Sequence, residues 1–326
     1  EVRDQDGHGR TLFPPVDLDS PDLLAQDGLP PSDGNPWFRQ QMLYAVVMTT
    51  ITSFERALGR TAQWRSLPEP DASGSTFRRR LTLFPHFTTD AIASYDPTRG
   101  LCLGWFTAQK GTPQAGTVVF ACLSQDIVVH ELTHALLDGM NVDFAGTSGD
   151  DGALHEAYAD LIALFGHFGD GEVLREQIRA VRGDLEQPTP LGAIALQMGR
   201  ALGRPDGIRN VLGRTGDDGI WQPRRPDPDA YRRAPDLHTR ATVLESAVFE
   251  AFRSIYATRV ADLLRLASRG SGVLPPGDLH PDLVRRLSRA AAATAHEVQL
   301  MCIRALDLLP PVDVTFGDFL RALLTA

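Results

Sequence analysis

An apolar run in the middle of the chain carries two histidines and a glutamate: Val128-Val129-His130-Glu131-Leu132-Thr133-His134-Ala135-Leu136-Leu137. The run predicts a buried helix, in which positions four apart lie one above the other on the same face. His130 and His134 can therefore aim two imidazole nitrogens at one point, which is half of a tetrahedral zinc site. Glu131 lies about 100° round the helix from His130. There it can reach a metal-bound water without binding the metal itself.

Two alternatives compete with a metal site on this helix. The His-Glu-x-x-His pattern can arise by chance, and each histidine can be a hydrogen-bonded core residue. Both are disfavoured because Glu131 shares the same apolar helix, and an unpaired buried carboxylate is costly.

A third ligand defines the kind of site. The metzincin pattern would need Gly at position 137 and His at position 140, and the chain has Leu137 and Met140. Downstream, residues 152–164 predict a second apolar helix, on which Glu156 and Asp160 lie four apart and share a face. Glu156 could complete a His2Glu zinc site with water in the fourth position, and Asp160 could hold a ligating histidine by its other ring nitrogen. An acidic helix face turned to solvent is the alternative, which the apolar neighbours disfavour.

These residues together resemble the thermolysin family of gluzincin metalloendopeptidases. The resemblance rests on the run 126–135, on Asp138 and on Gly152-Ala153-x-x-Glu156-Ala157-x-x-Asp160, and it covers about residues 90–165. It implies Glu156 as the third zinc ligand and Asp160 behind His130. It also implies an α+β fold, with a strand-rich N-terminal lobe that carries the HExxH helix, a mostly helical C-terminal lobe, and zinc in the cleft between them.

The chain departs from the family pattern at several positions. His155 stands where the family has Asn; it can take over the hydrogen bond of that Asn, or contact the metal and change its coordination number. Residues 88–97 contain no Asn to grip a substrate backbone, as the family's edge segment does. Leu101–Phe106 corresponds to the family's edge strand, with a plain core strand as the alternative. Asp126 matches a calcium ligand of the family, but its companion acid after Glu156 is missing, so we predict no calcium.

His238 is the next candidate catalytic residue. The family has a catalytic histidine at the entry of a C-terminal-lobe helix, and His238 stands at that place. Such an imidazole could stabilise the oxyanion of a tetrahedral intermediate. Asp236 could orient it, and a surface histidine before a helix is the alternative. The family's assisting tyrosine has no counterpart in residues 141–151, and Tyr158 and Tyr231 are the candidate substitutes.

The organisation of the chain follows from its local patterns. Residues 1–35 predict an extended or disordered N-terminal arm, residues 36–145 an N-terminal α+β lobe, and residues 146–326 a helical C-terminal lobe. Short apolar runs predict strands of an antiparallel sheet at 80–84, 92–95, 101–106 and 117–122. Helical spacing predicts helices at 37–58, 171–182, 191–202, 239–257, 258–268, 281–300 and 316–325.

Composition limits the partners and the compartment. The formal net charge of −9 and the pI near 5.5 argue against nucleic acid or an anionic membrane as the main partner. No stretch approaches the roughly 18 apolar residues of a membrane span. Cys102, Cys122 and Cys302 lie in apolar runs and predict buried free thiols, which favours a cytoplasmic location. A secreted protein whose N-terminal signal was removed is the alternative.

The sequence therefore predicts a Zn²⁺-dependent hydrolase that acts on a peptide or protein substrate through water activated by Glu131. One alternative is a zinc enzyme dedicated to a single peptide or to a nonpeptide amide. Another is a noncatalytic zinc-stabilised interaction domain, which is disfavoured because a structural site usually has four protein ligands and no use for Glu131.

Overall fold

A computed structural model describes residues 1–66, 76–140, 150–224, 227, 229–310 and 312–326. The described residues form helices and small sheets, which confirms the predicted mixture of α and β structure. The chain divides into two compact units: the first takes Glu1–Phe144 and Ala195–Gly207, and the second takes Ala145–Ile194 and Ile208–Ala326. The predicted boundary between residues 145 and 146 lies outside the described residues.

The helices, in chain order, are α1 (Pro21–Ala25), α2 (Pro36–Leu58), α3 (Gln125–Gly139), α4 (Asp151–Gly166), α5 (Gly171–Ala180), α6 (Leu196–Ala201), α7 (Ala230–Arg233), α8 (Leu237–Ala267), α9 (Pro281–Ala305) and α10 (Phe316–Thr325). The strands are β1 (Leu83–Thr88), β2 (Ala93–Asp96), β3 (Gly100–Thr107), β4 (Val118–Phe120), β5 (Ala193–Ile194), β6 (Arg209–Asn210), β7 (Gly213–Thr215) and β8 (Trp221–Pro223).

Helix α2 of the first unit shows how local sequence determines an element. Asn35 caps its start by accepting hydrogen bonds from the backbone N–H groups of Trp37 and Phe38. Gly59 ends it with a φ of 66°, a left-handed conformation that glycine adopts without a steric penalty. The helix therefore runs over nearly the same residues as predicted.

Strand β3 is the centre of the main sheet. It pairs with β1 in parallel, with Leu83 opposite Leu101, and antiparallel with both β2 and β4. The prediction of an antiparallel sheet is confirmed for β2 and β4, and it is wrong for β1, which runs parallel to β3. The core-strand alternative for Leu101–Phe106 is confirmed, and β2 lies outside β3. The apolar, buried run of β3 is typical of a strand that is covered on both faces.

The N-terminal segment is bonded to β1. The backbone N–H of Arg3 donates to the carbonyl of Leu83, and the N–H of Leu83 donates to the carbonyl of Glu1. Buried Asp4 accepts from Gln40 and pairs with the ring of His86, at 2.8 Å in each case. These first residues of the predicted arm therefore contribute to the first unit.

Packing of α4 against α8 and α9 forms the core of the second unit. Tyr158, Phe252 and Phe319 are fully buried there. The prediction of two helices at 239–257 and 258–268 is wrong, because α8 runs unbroken for 31 residues. No glycine or proline interrupts its sequence, so nothing local stops the helix.

Two further predictions concern membrane-spanning helices and the cysteines. Among the described helices, none is long and apolar enough to cross a membrane. Cys102, Cys122 and Cys302 are buried free cysteines, as predicted.

Candidate metal centre

Helix α3 brings the two histidines of the HExxH run together. The Nε2 atoms of His130 and His134 lie 3.0 Å apart, and the two buried rings are nearly perpendicular, at 88°. Two nitrogens on one tetrahedral zinc, each about 2.0–2.1 Å from it, would lie roughly 3.3 Å apart. The observed separation is close to that value, so the four-residue spacing produces the predicted convergence.

Helix α4 contributes the third donor. His130, His134 and Glu156 each offer one ligand atom, and these three atoms lie within 4.8 Å of one another. The histidines are buried and Glu156 is partly exposed. This group could hold a metal ion, with two imidazole nitrogens and one carboxylate oxygen as donors. The structure therefore brings together the three residues that the sequence singled out as ligands.

Glu131 is held by a residue that the sequence did not identify. Its Oε2 accepts a hydrogen bond of 2.8 Å from the backbone N–H of Tyr95 in β2. The Tyr95 hydroxyl donates to Asp138 Oδ2 at 2.6 Å, and Asp138 Oδ1 accepts from Arg65 at 2.7 Å. Burial, and then the Asp138 carboxylate, raise the pKa of Tyr95 far above its ordinary value, so the hydroxyl remains a donor. The sequence contains one sign of this contact: Glu131 and Asp138 are seven residues apart on α3 and therefore share a helix face, where one neighbouring residue can reach both.

Asp160 pairs with Arg209. Both are in the second unit, and the guanidinium donates to both carboxylate oxygens, with Nη2 2.6 Å from Oδ1 and Nε bonded to Oδ2. Asp160 is fully buried. Burial opposes the charge of Arg209, but the attraction and hydrogen bonds of Asp160, together with the charges of Glu245 and Glu156, outweigh it and raise the pKa of Arg209. The sequence connected Asp160 with His130 instead, and that orienting contact stays a prediction.

His238 lies in the first turn of α8, beside Glu156. Its Nδ1 is 3.5 Å from Glu156 Oε2, and the imidazole is about half exposed. Asp236 caps the same helix: Oδ1 accepts from the backbone N–H of Thr239 and Oδ2 from its hydroxyl. These hydrogen bonds lower the pKa of Asp236. The structure thus assigns Asp236 a capping contact, and its orientation of His238 stays a prediction.

The two tyrosines considered as catalytic assistants are engaged elsewhere. The hydroxyl of Tyr158 donates to the carbonyl of Cys302 at 3.3 Å, and the side chain is fully buried. The hydroxyl of Tyr231 donates to Asp150 at 2.5 Å. Tyr158 is therefore too enclosed to contact a substrate.

Asp126 and His155 are the remaining residues that the sequence compared with the family pattern. Asp126 Oδ2 accepts from the backbone N–H of Ala195 at 2.6 Å, and its Oδ1 accepts from the Ser124 hydroxyl. Its carboxylate thus holds α3 to the segment that leads into α6. His155 lies half-buried on α4, next to Glu156 in sequence.

The chain matches no protein-family model, and no curated protein aligns with it significantly.

Proposed function

We propose that this chain is a zinc-dependent metallopeptidase of the gluzincin type, similar to thermolysin in its zinc-binding residues. The observation that carries the proposal is the convergence of His130, His134 and Glu156, with Glu131 adjacent on α3. Two imidazoles and one carboxylate suit zinc, and three protein ligands leave one position for water, as in catalytic rather than structural sites.

Glu131, Tyr95 and His238 have separate roles in the proposed reaction. Zinc, when bound, would acidify a water and polarise the substrate carbonyl. Glu131 takes the proton of the attacking water and passes it to the leaving amine. The backbone N–H of Tyr95 donates to Oε2 of Glu131 and thereby orients the carboxylate. His238 stabilises the negative charge that develops on the carbonyl oxygen.

The register of β2 supports an extended peptide as the substrate. The carbonyl of Ile92 accepts from the N–H of Gly104 on β3, at 2.9 Å. Backbone groups of alternate residues in a strand point to the same side, so those of Ala93 and Tyr95 point away from β3. The Tyr95 N–H meets Glu131 on that side, which places this strand edge beside the proposed general base. An extended peptide that pairs with β2 would present its backbone to the same carboxylate.

The composition of β2 favours one second candidate. Its residues are Ala93-Ser94-Tyr95-Asp96, and the asparagine expected for gripping a peptide backbone is missing from residues 88–97. A zinc hydrolase dedicated to one peptide or to a nonpeptide amide would not need that general grip. A cytoplasmic location, supported by the three buried thiols, belongs to either proposal. Neither involves nucleic acid or a membrane.

Elemental analysis, together with hydrolysis of a quenched random-peptide library with and without chelator, tests the proposal. We expect one zinc per chain and cleavage that stops when the metal is removed. The Glu131→Gln variant should keep its zinc and lose cleavage. One zinc with no library cleavage would favour the dedicated hydrolase, and a folded chain that takes up no zinc would refute both.

A noncatalytic zinc domain gives a distinct result in the same assays. Such a chain would bind zinc, cleave no substrate and fail to bind a hydroxamate probe. Glu131→Gln would then change none of these properties.

A further inference from the structure

We propose that Tyr95 is the positioning residue of Glu131: its hydroxyl, anchored on Asp138, holds its own backbone N–H against the glutamate carboxylate. The inference rests on the proposed hydrolase function, because it concerns how the general base of that reaction is oriented. Tyr95 acts through Glu131, so we do not count it as a catalytic residue.

Strand β2 contacts α3 at two points, both through Tyr95. Tyr95 donates from its backbone N–H to Glu131 Oε2 and from its hydroxyl to Asp138 Oδ2. The two acceptors lie two helical turns apart on one face of α3. A single strand residue therefore bridges two turns of the helix, and its backbone cannot shift without losing one of these bonds.

The direction of the Tyr95 amide depends on the register of β2. Strand β2 has four residues and pairs with β3 with Tyr95 opposite Leu101. The amides of Ser94 and Asp96 point toward β3, so a slip of one residue would remove the N–H from Glu131. Pairing with β3 fixes the strand on one side, and the hydroxyl contact fixes it against α3 on the other.

Asp138 is the anchor of the Tyr95 hydroxyl. Asp138 is largely buried, with 15% of its side chain exposed, and its other oxygen accepts from Arg65. A carboxylate oxygen is a strong acceptor for a phenol hydroxyl. Gly139 follows directly, and an added Cβ there would lie 1.8 Å from the carbonyl of Gln63. The chain around Arg65 is therefore packed closely onto the end of α3, where the anchor lies.

The first experiment measures the backbone contact without any need for activity. Hydrogen–deuterium exchange of metal-free protein is followed in peptides that cover residues 92–99. Tyr95→Phe keeps the ring and removes the hydroxyl, and we expect about fivefold faster exchange of one amide, the scale of one lost hydrogen bond. Glu131→Ala should accelerate the same amide, since it removes the acceptor. Tyr44→Phe, at a half-exposed position of α2, is the matched control and should change nothing.

The second experiment measures catalysis on the peptide library. Tyr95→Phe and Asp138→Asn should each lower kcat about tenfold with little change in KM, because the base is misaligned while the peptide edge of β2 remains. The double variant should be no worse than either single variant, because the hydroxyl and the carboxylate act as one pair.

The outcomes separate this inference from the proposed function. Unchanged exchange at residue 95 in Tyr95→Phe would overturn the inference, and so would acceleration across all of β1–β4 with a general loss of stability. A wild-type chain that hydrolyses nothing while Tyr95→Phe still accelerates the single amide would overturn the proposed hydrolase and leave the contact intact.

Discussion

His238 Nδ1 lies 3.5 Å from Glu156 Oε2, so the imidazole at the entry of α8 and the carboxylate of α4 adjoin within one unit. His238 is therefore next to the proposed zinc ligand Glu156, but it is not one of the three donor residues. That relationship fits a histidine that contacts the substrate oxygen rather than the metal. It also makes the role of His238 separable from metal binding by experiment.

His238→Ala should lower kcat about 100-fold while the zinc content stays at one per chain. The magnitude is that of one lost hydrogen-bond donor to an oxyanion. The measurement is kcat on the best library peptide, with elemental analysis of the same sample. His296→Ala, at an exposed position of α9, is the control and should retain full activity. Loss of zinc from His238→Ala would instead place this histidine among the ligands.

Arg209→Met should destabilise the second unit by about 3–5 kcal/mol. The substitution leaves the fully buried carboxylate of Asp160 without the guanidinium that now pairs with both its oxygens. Urea unfolding of the metal-free chain measures the change. The paired variant Asp160→Asn with Arg209→Met should recover much of the loss, because position 160 then no longer carries a buried carboxylate without its guanidinium partner.

Arg232→Met provides the comparison for a pair at the surface. Arg232 and Asp229 are 82% and 62% exposed, so we expect a change below about 1 kcal/mol. Equal losses in the free energy of unfolding for Arg209→Met and Arg232→Met would show that the buried Asp160–Arg209 pair stabilises the chain no more than a surface pair.

Local sequence was sufficient for the candidate ligands and for the strongly periodic helices. The four-residue spacings of His130 with His134 and of Glu156 with Asp160 are properties of a helix turn, so they require no knowledge of the fold. The bounds of α2 and α10 follow from caps and periodicity in the same way. Helical spacing predicts two helices at 239–257 and 258–268, whereas the backbone of α8 continues unbroken through both.

Contacts between distant residues were beyond such reasoning. The parallel pairing of β1 with β3 depends on tertiary packing, which short apolar runs do not encode. The contact of Tyr95 with Glu131 spans 36 residues, and it uses a backbone N–H that every non-proline residue carries. Helix spacing and the family resemblance both predict a contact of Asp160 with a ligating histidine, and only the fold reveals its ion pair with Arg209.

Asp4→Ala should destabilise the first unit by about 2–5 kcal/mol. Nδ1 of His86 meets the Asp4 carboxylate at 2.8 Å, while Nε2 accepts from Arg39 at 2.7 Å, so His86 is fixed in one tautomer. Loss of the carboxylate leaves His86 Nδ1 and the Gln40 amide without this buried acceptor, at about 1–3 kcal/mol each. Thermal unfolding and limited proteolysis of residues 1–35 measure the effect. Asp19→Ala, at an exposed position, should match the wild type; equal behaviour of both variants would mean that residues 1–35 act as a loose arm.

Stability should fall as the pH rises above about 9, because the cysteines are buried as thiols. Burial raises the pKa of Cys102 to about 11 and that of Cys122 and Cys302 to about 12. A cysteine in the unfolded chain loses its proton near pH 8.5. The native state therefore binds more protons than the unfolded state between that pH and about 12, and the linkage relation makes stability decrease with pH over this range. Urea unfolding at pH 8, 9 and 10 measures the slope.

A thiol-specific chromogenic disulfide provides an independent test at pH 8. We expect no reactive thiol in the native chain and three in urea, because only the exposed thiolate attacks the reagent. Rapid reaction of any cysteine in the native chain would contradict the burial of that residue. That cysteine would then not contribute to the predicted fall in stability at high pH.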